Sequence, residues 1–238
     1  MKKVLACLLT IAIFGVAGFV LAKSVSSKTP PGLDNKPPLE KIIFIHYRKG
    51  AKPPDVGKGK GGPACYGFLA KGAKLKGVES LTIHPDLDST AIVNSAAEWN
   101  AHTSTVLFGG YSTDPTANWD SDAPDGRNEL LFGNYPDADV IAITVVWGYF
   151  SVPPAYRQIL EFDVMFDTDW TWGDATIDPG KMDLQNIATH ELGHGVGLND
   201  VYQTDCSLVT MYGYSDYGDT GKRTLEAPDI KGLLTLYP

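Results

Sequence analysis

Hydrophobic and polar positions along the chain fall into runs with distinct periods. An apolar run from Val4 to Ala22 follows Met1-Lys2-Lys3. Ile42-Ile43-Phe44-Ile45-His46-Tyr47 is a short β-prone island in a Pro/Gly-rich stretch. Gly77 to Ile83, Val106 to Phe108 and Glu129 to Phe132 predict strands, and the longest strand signals are Val140 to Tyr149 (VIAITVVWGY) and Ile159 to Phe166 (ILEFDVMF). Helical spacing places Ile92, Ala96 and Trp99 on one face of Ser89 to Trp99, with Ser89 or Thr90 as N-cap. A second helix is predicted over Met182 to Val196, entered at Asp183. A third opens at Ala227-Pro228-Asp229, where the missing N–H of Pro228 costs nothing in a first turn. Strands among three separated helices predict an α/β or α+β domain.

The first run ends on Val20-Leu21-Ala22, a small-residue cleavage site, so residues 1–22 read as a secretory signal peptide. Residues 4–22 are also long enough to span a bilayer as an uncleaved anchor. Either way the remainder is expected outside the cytoplasm, secreted or membrane-anchored. Export leaves Cys65 and Cys206 as an even pair in an oxidising compartment. A disulfide between them, two free buried thiols, and a metal-blocking Cys65 all fit.

Charge divides the chain further. Residues 23–64 carry nine Lys/Arg against three acidic residues, with seven Pro and six Gly, and are expected to be mostly linker. Their net +6 faces −16 on residues 65–238. That contrast fits an arm docked on its own domain, as a propeptide would be, and equally a solvated spacer. The net −8 argues against a nucleic-acid partner.

The chemistry concentrates at residues 190–200, His-Glu-Leu-Gly-His-Gly-Val-Gly-Leu-Asn-Asp. His190 and His194, four apart, project from one helix face and suit Zn²⁺. Glu191 is offset from that face and placed to act as a general base. Gly197 suits a left-handed turn that ends the helix and returns Asp200 as a third ligand. Chance yields HExxH in only about three per thousand chains of this composition.

This HExxHxxGxxD motif resembles the metzincin zinc endopeptidases, and Leu208 to Tyr212 resembles their methionine turn, with Met211 beneath the metal. The chain is most similar to the matrixin branch, the matrix metalloproteinases and their prokaryotic secreted relatives. That resemblance implies an α+β fold with a twisted, mixed five-stranded sheet, three helices, and a zinc cleft below an edge strand at Ile141, Ala142, Ile143 and Thr144. It implies a zinc endopeptidase in which Glu191 deprotonates a zinc-activated water, with a protein or peptide substrate paired antiparallel to that edge. An interior strand fits the apolar run just as well. A monomer is expected.

Three features depart from the matrixin pattern: Asp200 stands where most members have His, Gly213 replaces the usual wall proline, and residues 23–64 lack a cysteine motif. Structural Ca²⁺, which matrixins carry, would draw on Asp114, Asp120, Asp122, Asp125 and Asp137, or on Asp163, Asp167, Asp169, Asp174 and Asp178; simple solubility is the other reading of both sets. His84 and His102 fit ordinary surface or core positions better than a second zinc site. Rival functions are a catalytically silent zinc-binding extracellular module and a non-peptide zinc hydrolase.

Overall fold

A computed structural model describes residues 37–51 and 64–238. The signal or anchor segment expected at residues 1–22 lies outside them, and among the described residues no helix is long and apolar enough to cross a membrane.

In chain order the strands and helices are β1 (Glu40–Arg48), β2 (Gly67–Phe68), β3 (Glu79–Ile83), α1 (Ser89–Ala101), β4 (Phe108–Thr113), β5 (Asn128–Gly133), β6 (Val140–Tyr149), β7 (Gln158–Asp167), β8 (Trp172–Gly173), β9 (Met182–Asp183), α2 (Leu184–Gly195), β10 (Leu198–Asn199), β11 (Tyr214–Ser215) and α3 (Ala227–Leu236). The main sheet has the order β11-β1-β6-β7-β5-β3-β4. Its body is the expected five strands: β4, β3, β5 and β7 run parallel, and β6 pairs antiparallel with β7.

Two strands are added to those five. β1 pairs antiparallel with β6 from Glu40↔Gly148 to Tyr47↔Val140, and β11 pairs parallel with the end of β1. Part of the supposed linker is therefore a nine-residue strand of the main sheet. The expected edge at Ile141–Thr144 is corrected in consequence: these residues have β1 on one side and β7 on the other. The apolar run is matched by near-complete burial of β6.

Boundaries shift where local caps win. Asp88, not Ser89 or Thr90, caps α1, its carboxylate accepting from Thr90 N at 2.9 Å. The strand expected at Val106–Phe108 begins only at Phe108, because the Asn100 side chain accepts from the Leu107 and Phe108 amides and holds the link from α1 in a turn. Asp183 caps α2 as expected, accepting from Asn186 N. Glu226 and Asp229 form a capping box on α3.

One core lies between the sheet and the helices, and α2 runs through it with every residue but Gln185 buried. Trp99 of α1 fixes the helix pair: its ring is fully buried and its Nε1 donates to Thr189 O at 2.8 Å. Cys65 and Cys206 form a disulfide across 141 residues of sequence. A loop of that length stabilises the fold by about 5 kcal/mol in the chain-entropy account.

Candidate metal centre

α2 carries His190, Glu191 and His194 in its last turns and ends where Gly197 turns the chain. Gly197 is required there twice over: its φ is +103°, and a Cβ would stand 2.4 Å from Ala73 O. Gly193 opens room beneath the helix, since a Cβ there would meet Met211 Sδ at 2.2 Å. Met211 is fully buried in that space, and Asp229 holds its turn by accepting from the Thr210 and Met211 amides.

The reversal at Gly197 brings Asp200 back to the two histidines. Asp200 Oδ1 lies 3.1 Å from His190 Nε2 and 3.6 Å from His194 Nε2. Each ring is oriented from behind: His190 Nδ1 bonds Thr210 O at 2.7 Å, and His194 Nδ1 bonds Leu198 O at 2.9 Å. A carbonyl only accepts, so both Nδ1 atoms carry the proton and both Nε2 atoms present lone pairs. Burial keeps the imidazoles uncharged, His190 well below its usual pKa and His194 down to about 4.

Three lone pairs thus converge on one point without a proton between them. His190 Nε2 and Asp200 Oδ1 are buried and have no hydrogen-bond partner among the described residues. Such an arrangement calls for a cation. Ligands at tetrahedral corners about 2.0 Å from zinc stand ~3.3 Å apart, which the two spacings bracket. Two imidazoles and one carboxylate therefore fit an open zinc site, and the ligand atoms also meet the looser clustering expected of a metal centre.

Around this triad are groups that sequence reasoning missed. Tyr202 Oη donates to Asp200 Oδ2 at 3.1 Å. The Thr144 hydroxyl donates to Glu191 Oε2 at 2.6 Å, so this residue contributes its side chain where only its backbone was expected to matter. His46 Nδ1 stands 2.9 Å from Glu191 Oε1, and Lys222 Nζ stands 3.0 Å from His46 Nε2 and donates to Tyr212 O. Burial pushes Glu191 up to about 8 and Lys222 down to about 7. Tyr202 lies two residues past the motif and could have been found there; His46 continues the alternation of Ile42 and Phe44 as a polar residue.

The acidic stretches divide. Asp114, Asp137, Asp167, Asp174 and Asp178 each accept from a backbone amide two residues on. Asp120 and Asp163 instead come together with Glu161, and Asp125 and Glu129 adjoin Asp120. Burial pushes Glu161 up to about 7 and Asp163 up to about 8. His84 pairs with Asp86 and His102 with Glu98, and neither enters a metal-capable group among the described residues.

Comparison with known families adds one finding: residues 150–238 match the Matrixin family model. This segment is matrixin-like. It contains β7, α2, the turn at Met211 and α3, and so every member of the triad. The match supports a zinc metallopeptidase in general, and the mixed sheet with three helices is consistent with a matrixin fold. No curated protein matches the chain.

Proposed function

We propose that the protein is an exported zinc metalloendopeptidase whose metal ligands are His190, His194 and Asp200. The single observation that carries this reading is the meeting of three oriented lone pairs next to a buried carboxylate, Glu191, whose two oxygens contact His46 and Thr144. Zinc held there would supply Lewis acidity and an activated water.

The chain's own groups do the rest. Glu191 would accept a proton from the water whose oxygen bonds to the peptide carbonyl carbon, and would pass it to the leaving amine as the C–N bond breaks. Thr144 fixes the rotamer of Glu191, and Tyr202 fixes that of Asp200. Met211 supplies an apolar floor. The Cys65–Cys206 disulfide supports an oxidising location.

A structural Ca²⁺ belongs to the same reading. Its ligands are Asp120, Glu161 and Asp163, with Asp125 and Glu129 alongside. Asp120 Oδ2 is buried without a hydrogen-bond partner among the described residues, as a hard oxygen donor awaiting a cation would be, whereas Glu129 Oε1 is already paired with Arg127 Nη2 at 2.6 Å.

Casein hydrolysis tests the function. It should be abolished by chelation, restored by Zn²⁺, and absent from a Glu191→Ala variant that still binds one zinc. Hydrolysis persisting in that variant would sink the proposal.

A further inference from the structure

Lys222 is a buried cation with no part in the proton transfer described for Glu191. It stands in the short turn Gly221–Arg223, and its backbone N–H donates to Asn186 Oδ1 at 2.6 Å, one turn of α2 before His190. Its place relative to that helix is therefore fixed by its own main chain. Its Nζ reaches two acceptors, Tyr212 O next to Met211 and His46 Nε2 at 3.0 Å. Burying an ammonium is costly unless partners repay it. Asp200 first, and then Glu191, are the carboxylates that favour its charge.

An ammonium has only protons to give, so His46 Nε2 accepts and the imidazole proton is left on Nδ1. That proton points at Glu191 Oε1, 2.9 Å away, while Thr144 donates to Oε2. Each oxygen of Glu191 is thus held by a donor, and a carboxylate has about four acceptor sites, which leaves room for a water. His46 itself is held in place. Ile42 and Phe44 pack β1 against the main core, and Ile45 and Tyr47 pack it against a second cluster around Val140, Ile143 and Met165. Without Lys222 the other tautomer of His46 opens, and it would turn a lone pair on the Glu191 carboxylate.

We propose that Lys222 is a positioning residue for Glu191 and acts through His46. The ammonium selects the tautomer that donates to the carboxylate, and together with Thr144 this fixes the orientation of the base beside the metal ligands. The inference rests on the zinc peptidase reading and deepens it by naming what aims the base.

The test uses the full, zinc-loaded chain with ¹⁵N-labelled histidine. The resonance lost in His46→Asn identifies His46, and it should report a proton on Nδ1. Lys222→Met, which removes the ammonium and keeps the stem, should shift that tautomer with zinc content unchanged. In casein hydrolysis, Lys222→Met and His46→Leu should each lower kcat by about tenfold or more with KM unchanged, the usual scale for an outer-shell partner. The double variant should be no worse than either single one, because the two residues act in series. His46→Asn, whose amide can donate from the Nδ1 position, should recover most of what His46→Leu loses. Should Lys222→Met fail to melt cooperatively, the wild-type tautomer and the contrast between His46→Leu and His46→Asn decide alone. A wild-type proton on Nε2, a tautomer unmoved by Lys222→Met, or faster hydrolysis in His46→Leu would overturn the inference. Wild-type kcat in every variant would also overturn it, and would leave the peptidase reading standing. The expected tautomer shift in a chain that hydrolyses no casein would uphold the link from Lys222 to Glu191 and defeat the peptidase reading.

Discussion

The Thr144 hydroxyl donates to Glu191 Oε2 at 2.6 Å, joining the middle of β6 to the candidate base on α2. That bond holds the carboxyl down against burial, the larger effect, which raises it. Thr144→Val keeps the shape and removes the donor. An unpaired buried acceptor costs about 1–3 kcal/mol, so melting should fall while zinc content stays. The Glu191 pKa should rise further, moving the acid limb of casein hydrolysis to higher pH. An unshifted pH profile would remove Thr144 from the site.

Tyr202 makes a second prediction. Its hydroxyl is the hydrogen-bond donor to Asp200 Oδ2, and its ring packs on Tyr214 and faces Gly213. Tyr202→Phe keeps the ring and leaves Asp200 free to rotate. Zinc affinity should fall about 10–100-fold, the usual effect of losing an outer-shell partner, as read by competition with a chelator. An unchanged affinity would mean that backbone geometry alone orients Asp200.

Gly197→Ala is expected to be harmful out of proportion to one methyl group. The backbone lies at φ +103°, and the new Cβ would press on Ala73 O at 2.4 Å. Strain of this kind costs about 1–3 kcal/mol, and each kcal/mol lowers the melting temperature by about 2–4 °C in a domain of this size. Because the turn also delivers Asp200, zinc binding should weaken together with stability.

The legible part of the site was the local part. His190, Glu191, His194, Gly197 and Asp200 sit within eleven consecutive residues, where helix period and one glycine fix their geometry. Four of the five strands of the sheet's body were readable because apolar patterning reports which faces are buried. It does not report lateral neighbours, since those are made by backbone bonds common to all residues. VIAITVVWGY therefore reads the same as an edge or as an interior strand, and the β-prone run Ile42–Tyr47 gives no sign that it pairs beside it. His46 reaches Glu191 across 145 positions of sequence and Lys222 reaches His46 across 176, distances at which no spacing rule applies. β4, mostly exposed and rich in Gly, Ser and Thr, has no apolar pattern to betray it beyond Phe108.

Raising the pH should expose the proposed calcium site. Burial raises the Asp163 carboxyl to about 8 and Glu161 to about 7, so the folded chain holds these protons more tightly than the unfolded chain. Their contribution to stability is complete below the ordinary carboxylate range and is lost as pH rises through about 7 to 8. Calcium-free protein should then melt lower at about pH 8.5 than at pH 5. Calcium at about 1 mM should restore stability chiefly at the higher pH. Asp163→Asn should flatten both responses, and a melting temperature that climbs with pH in calcium-free buffer would contradict the assignment.

The bridge from Cys65 to Cys206 lies just past the leader in sequence. Any scission upstream of Cys65 would create a fresh amino terminus that is already clamped to the far half of the molecule. The severed piece, by contrast, would keep no covalent hold, so a single nick could be made irreversible simply by letting that fragment diffuse away.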